Sequence, residues 1–311
     1  MILPVVAFVL PLQVAVNQMC ALPAPQDEQT VEAEVSSKLR AGRVDDALTE
    51  AHLAVGRYPD SAAMNRLLGE VLFKKGMNTE ARAAFRRAIQ IDPSIPQIYY
   101  QLAQVDFSEK SYFDAARNLE TFLRLNPDNA EARALLGRTY LNLNQNDAAI
   151  VQFRRALALN PVLPLLHYHL GSAYESEGNL KAALKEFRQE VDYNPHFYDS
   201  YWRAGNIELG QGNPDAASEL FQAGIRVKPL GYQAHYGLGR VLLAQRQLPS
   251  AQAELKKVLA SNPHFDDAHC VLAQVYQQMG KPQDARVEFD GCAQLNARRQ
   301  NTPTSPAGQH P

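Results

Sequence analysis

Pro59, Pro93, Pro127, Pro161, Pro195, Pro229 and Pro263 recur every 34 residues along the 311-residue chain, without one insertion or deletion between them. A single globular core imposes no such period, whereas a row of copied supersecondary units does. The same register places alanine at Ala47, Ala81, Ala115, Ala149, Ala183, Ala217, Ala251 and Ala285, so the chain holds eight repeats.

The repeat from Ala130 to Leu163 shows what is copied. Leu136, Gly137 and Tyr140, then Ala149, Phe153 and Ala156, have helical spacing, and Pro161 closes the unit. Between the two groups, Asn144 can take the left-handed conformation that ends one helix, and Asp147 can help to start the next. The unit is helix, turn, helix. Gly69, Ala103, Gly137, Gly171, Gly205, Gly239 and Ala273 on the first helices are expected to face the recurrent alanines across a close contact. Phe85, Leu119, Phe153, Phe187, Phe221, Leu255 and Phe289, four residues after each alanine, would fill the space beyond. A pair this small cannot bury its apolar stripe alone, so neighbouring pairs must stack.

These residues resemble the tetratricopeptide repeat (TPR) family, whose L-G-x2-Y, A-x3-F and closing P pattern matches Leu136, Gly137, Tyr140, Ala149, Phe153 and Pro161. Leu170, Gly171, Tyr174, Ala183, Phe187 and Pro195 match it equally well. The resemblance implies an all-α, right-handed superhelical solenoid of antiparallel helix pairs. The array spans 28–299, with repeats at 28–61, 62–95, 96–129, 130–163, 164–197, 198–231, 232–265 and 266–299. The first repeat departs from the pattern with Val35 for the glycine and Ala51 for the phenylalanine. Glu190 and Gly224 replace the second small residue of the second helix, which predicts a local irregularity near repeats five and six.

The flanks read differently. Residues 1–21 are free of charge, but their apolar run covers only the first 16, carries Pro4 and Pro11, and falls short of the roughly 20 apolar residues of a spanning helix. They read as a signal peptide directing export to a bacterial periplasm or another extracytoplasmic space, with an apolar tail on a cytosolic protein as the alternative. No stable membrane span is expected once this segment is removed. Asn17-Gln18-Met19 lacks the small residues that precede an acylated cysteine, so lipidation at Cys20 is not expected. Residues 22–27 read as a linker and 300–311, rich in proline, as a disordered tail. Cys270 and Cys292 read as two small buried or half-buried thiols in the last repeat, with a disulfide between them as the alternative in an exported protein. The last helix, with no amphipathic helix after it, leaves self-association through the C-terminal repeat open.

The 31 basic and 33 acidic residues are mixed along the chain, for a formal charge of -2, which argues against a nucleic-acid partner. Chemistry has little to work with. His167 and His169 point about 200° apart on a helix and cannot share a metal. His264 and His269 have no third ligand nearby in sequence, and no phosphate loop or nucleophile motif occurs. The chain is expected to be no enzyme and to carry neither cofactor nor metal.

In TPR proteins the second, fifth and ninth places of each repeat line the concave groove that holds a partner's segment. Here those places contribute Tyr100, Arg138, Tyr168, Trp202, Asn206, Tyr236 and Arg240 as candidate partner-binding residues. Aromatic and arginine side chains are frequent binding anchors; the competing reading is that the aromatics pack on each other or on the adjacent repeat. Tyr99, Tyr201, His167, His235 and His269, at the fourth place, read as structural. Arg66 with Glu70, and Tyr100 with Gln104, occupy the places where some relatives hold a terminal carboxylate with Lys and Asn, so that clamp is absent. The expected function is a protein-interaction scaffold for a peptide or protein segment. Alternatives are an accessory subunit of an envelope or polymer-modifying enzyme complex, or a self-assembling structural module.

Overall fold

The computed structural model describes residues 27–301, and every regular element among them is an α-helix. The segment 1–21 with Cys20, the linker up to residue 26 and the tail after Asn301 lie outside the described residues. The first helices are α1 (Glu28–Arg40), α3 (Ala62–Lys74), α5 (Pro96–Ser108), α7 (Ala130–Asn142), α9 (Leu166–Ser176), α11 (Tyr198–Gly210), α13 (Tyr232–Ala244) and α15 (Asp266–Gln278). Their partners are α2 (Val44–Arg57), α4 (Asn78–Ile91), α6 (Tyr112–Leu125), α8 (Asn146–Leu159), α10 (Leu180–Tyr193), α12 (Pro214–Val227), α14 (Leu248–Ser261) and α16 (Pro282–Asn301). Every first helix except α9 begins on the opening residue of its repeat. The chain divides into two compact units, residues 1–105 and 106–311.

In the first unit, Asp27 and Ser61 start α1 and α3 by accepting hydrogen bonds from the Thr30 and Met64 backbone N–H groups at 2.7 and 3.3 Å. Val31, Val35, Ala47, Ala51, Met64, Phe85 and Ile98 are fully buried in one cluster. The departures of the first repeat are therefore a trade of volume. Val35 occupies space that a phenylalanine takes in later repeats, and Ala51 opposite it stays small.

In the second unit, the space against the first-helix glycines is taken by rings. A Cβ at Gly137, Gly171 or Gly205 would stand 2.6, 2.8 or 2.7 Å from Phe153, Phe187 or Phe221. The closest neighbour of each glycine is thus the phenylalanine and not the alanine, a correction to the expected small-on-small contact. Phe153, Phe187 and Phe221 are fully buried, but Phe289 in the last repeat is 40% exposed. Among the described residues no helix follows α16 to cover it.

All eight repeats turn through one left-handed residue between their helices. Five use Gly42, Gly76, Gly178, Gly212 and Gly280; Lys110, Asn144 and Arg246 adopt it at φ 61°, 57° and 58°. Asn144 does what its sequence position predicts. Arg246 holds a conformation that glycine reaches without a Cβ penalty.

The irregularity expected near repeats five and six is present. Leu165 is left-handed, at φ 61°, and α9 starts two residues late. Glu190, buried to 2% exposure, accepts a hydrogen bond from the Tyr168 backbone N–H at 3.3 Å and so caps α9 from the second helix. One repeat further, the Tyr198 hydroxyl accepts from the Ala234 backbone N–H at 2.9 Å and caps α13. Gly231 and Gly224 leave room for it: Cβ atoms there would lie 2.5 Å from Tyr198 and 3.2 Å from Tyr201.

The fourth-place residues are fastened to the preceding proline. Tyr99 donates to the Pro93 carbonyl at 3.1 Å, Arg133 to Pro127 at 2.7 Å, Tyr201 to Pro195 at 3.0 Å, His235 to Pro229 at 2.9 Å and His269 to Pro263 at 3.1 Å. Phenol, guanidinium and imidazole serve one carbonyl that the proline ring leaves outside the helix. In the distorted fifth repeat, His167 instead faces Glu186 at 2.7 Å and stacks on Tyr193 with ring centres 5.3 Å apart.

Cys270 and Cys292 are not separate thiols. A disulfide joins them, with Cα atoms 5.3 Å apart, and ties α15 to α16. Fifth and twenty-seventh places face each other across a helix pair, as Tyr168 and Glu190 do in repeat five, so cysteines at both are within bonding reach.

Candidate partner-binding site

The groove candidates sit on first helices. Tyr100, half-buried on α5, belongs to the first compact unit; the other six belong to the second. In the first unit, neighbouring polar side chains engage one another: Arg66 pairs with Glu32 and with Glu70 at 3.3 Å, and Gln101 donates to Glu70 at 3.0 Å.

In the second unit the aromatics have a double role. Tyr168 meets Phe197 edge to face at 4.8 Å between ring centres, and Tyr236 meets Phe265 in the same way at 4.9 Å. Each pair joins the fifth place of a repeat to its last residue. Repeat six has Gly231 there, so Trp202 lacks that ring and is held otherwise: its indole N–H donates to Asp199 at 3.0 Å. All three aromatics are half-buried. Burial raises the pKa of the Tyr168 hydroxyl, with Arg203 partly offsetting it, and burial likewise raises that of Tyr236. Both stay neutral donors at physiological pH.

Two residues that the sequence did not put among the groove candidates stand among them. The Arg203 guanidinium lies 5.4 Å from the Tyr168 ring centre and 5.1 Å from that of Trp202, and it pairs with Glu175 at 2.5 Å. It fixes the spacing of the two aromatics. His169 stacks on Phe153 at 5.9 Å, and burial, aided by the charges of Arg138 and Arg203, brings its pKa down to about 4. Both are sixth-place residues, one position beyond the fifth, and the signal that could have found them is the recurrence of polar side chains there at Gln101, His169 and Arg203.

The ninth places carry Arg138, Asn206 and Arg240. Arg138 lies over Phe107 at 4.9 Å, Asn206 is half-buried one turn from Trp202, and Arg240 lies over Tyr236 at 5.6 Å. Arg240 also opens onto a cleft of about 350 Å³, lined by Leu243, Ala244 and Arg246 from the α13 side and Val271, Gln274 and Gln278 from α15. Of the seven candidates, only Arg240 lines it. Among the described residues no helix is long and apolar enough to cross a membrane, and no group of three His, Cys, Asp or Glu side chains is placed to hold a metal.

Comparison with known proteins agrees with this architecture. Tetratricopeptide repeat models match residues 33–96 and 203–264, 118–151, 165–197 and 242–297, and a TPR repeat model matches 137–178. Tetratricopeptide repeat protein 33 of Xenopus laevis is 32% identical over 105 residues, which are 33% of this chain and 41% of that protein. The chain thus spans less than half the length of that curated relative. The crystal structure of MamA aligns with a TM-score of 0.51 at 26% identity, covering 52% of this chain and 95% of that one. YrrB, described as a TPR protein with an unusual peptide-binding site, aligns with a TM-score of 0.54 at 23% identity over 59% of this chain and 95% of that one, which bears on fold alone. With the in-phase repeats, the paired helices and these matches together, the chain belongs to the tetratricopeptide repeat family.

Proposed function

We propose that the chain is a non-catalytic scaffold that holds a segment of a protein partner on the first-helix face of repeats five to eight. The observation that carries this reading is the setting of Trp202. Its side chain is half-buried, its indole N–H is fixed by Asp199, Arg203 backs its face, and Asn206 lies one turn along. A large side chain already held in place loses little freedom on binding, which is what a recognition anchor requires. The fold is consistent with a protein-interaction scaffold, and YrrB, with the same fold, is described by its peptide-binding site.

The compartment we propose is extracytoplasmic. Disulfides persist in oxidising compartments, and the Cys270–Cys292 bond fits such a place. The uncharged apolar run at residues 1–16 suits an export signal.

The test is affinity capture from envelope and cytosolic fractions, with wild type beside a Trp202→Ala, Asn206→Ala double variant whose helicity has been checked. A partner held by wild type and lost by the variant supports the scaffold reading. Identical captures would move the site elsewhere. Tyr168 and Tyr236 are left intact because their Phe197 and Phe265 contacts make them part of the packing.

A second reading, self-association through the last repeat, is favoured by the exposure of Val287 at 69% and Phe289 at 40% on α16. Light scattering of purified protein separates it from a monomeric scaffold.

A further inference from the structure

The cleft at the end of α13 has a chemistry of its own. Arg240, Leu243 and Ala244 lie at i, i+3 and i+4 of that helix and so share a face, as Gln274 and Gln278 do on α15. Two arginines and two glutamines line it together with the apolar Leu243, Ala244 and Val271. Among the described residues neither Arg240 nor Arg246 has a carboxylate partner; the only contact of Arg240's charge is the Tyr236 ring. Arg66 and Arg203 on other first helices are answered by carboxylates, Arg66 by Glu32 and Glu70 and Arg203 by Glu175, whereas Arg138, like Arg240, lies over an aromatic ring.

Arg246 adds an independent observation. It occupies the left-handed turn position that five other repeats fill with glycine, at φ 58°, where a Cβ carries a steric cost. Lys110 and Asn144 hold the same position in two other repeats, and of the three only Arg246 lines the cleft.

We propose that this cleft reads an acidic residue next to an apolar one in the partner's segment, with Arg240 and Arg246 taking the carboxylate, Gln274 and Gln278 bonding to adjacent backbone, and Leu243 and Val271 seating the apolar side chain. Arginine suits this task because its planar fork pairs with carboxylates in two parallel hydrogen bonds. A peptide is favoured over a nucleic acid because the cleft is small, its carboxamides offer both donors and acceptors, and the chain's charge is -2 with no basic stripe. This inference deepens the scaffold reading and rests on it.

The full-length chain is titrated with a fluorescein-labelled peptide of alternating glutamate and leucine, with its counterpart carrying glutamine for glutamate, and with an oligouridylate of equal charge. The glutamate peptide is expected to bind at least about tenfold more tightly than the glutamine one, as charge-assisted hydrogen bonds require. Arg240→Gln and Arg246→Gly should each remove most of that difference, and added salt should shrink it. Arg246→Gly also relieves the turn, so its melting temperature should equal or exceed that of wild type while binding falls, a combination that misfolding does not produce.

Equal affinity for the two peptides, unchanged binding by Arg246→Gly, or equal competition by the oligouridylate would each overturn the proposal. The scaffold reading is scored separately. A partner lost by the Trp202→Ala, Asn206→Ala variant but retained by Arg246→Gly leaves that reading standing and removes this one. A discriminating cleft beside unchanged captures by the double variant does the reverse.

Discussion

The ring of Phe187 packs against Gly171, so that a Cβ added to the glycine would stand 2.8 Å from two ring carbons. In an exposed helix, glycine to alanine stabilises by about 0.5–1 kcal/mol. Here the ring is fully buried and cannot swing away. Gly171→Ala is expected to cost about 1–3 kcal/mol through overpacking. Gly56, near the end of α2 with nothing within 4 Å of its added Cβ, is the control, and Gly56→Ala should raise stability. Urea denaturation of both variants checks the opposite signs.

His169 predicts a pH dependence. Its pKa falls from 6.5 to about 4 in the folded chain, chiefly through burial. Between those values the unfolded chain binds the proton and the folded chain does not, so stability is full above pH 6.5 and is lost as pH falls toward 4. The loss should reach roughly 2 kcal/mol by about pH 5, and His169→Gln should remove that part of the profile. Chemical denaturation at neutral pH and at about pH 5 measures it; parallel profiles for the two proteins would count against a buried neutral ring.

His235 donates from Nε2 to the Pro229 carbonyl at 2.9 Å, and its Nδ1 faces Glu254 at 2.5 Å. Phenylalanine keeps the ring and removes both contacts. His235→Phe is expected to cost about 0.5–1.5 kcal/mol, because the Pro229 carbonyl and the Glu254 carboxylate lose their imidazole partner. His269→Phe should cost less, since that side chain is 20% exposed against 6% for His235. Equal melting temperatures for wild type and His235→Phe would show that the fourth-place latch carries no stability.

The Cys270–Cys292 bond closes a chain separation of 22 residues. Its reduction should lower stability by about 3 kcal/mol on the chain-entropy account. In a repeat array the loss falls first on the repeat that carries the bond. Hydrogen exchange with and without reductant is therefore expected to show faster exchange in α15 and α16, with α7 and α8 unchanged.

Much of this molecule is legible in its sequence because repeat spacing and helical period act on the backbone locally. The 34-residue period sets where helices begin, and seven first helices start where it says. Asn144 turns left-handed as its place requires, and Glu190 marks the one repeat whose helix starts late. The partner-binding face is only partly legible. Tyr168, Trp202 and Tyr236 fall at corresponding places, but Phe197 and Phe265 pack on two of them, and Asp199 rather than a ring holds Trp202.

What the sequence by itself determined is the series of paired helices and the side each residue takes, since both follow from a rise and a turn that every residue repeats. Tertiary structure alone decided which side chains meet across that series: Phe187 on Gly171 rather than alanine on glycine, Arg203 between Tyr168 and Trp202, Cys270 bonded to Cys292, and Arg246 in a cleft with Gln274. Those meetings depend on how far each side chain reaches and what volume its neighbours leave, and no periodicity along one chain encodes the distance between two helices.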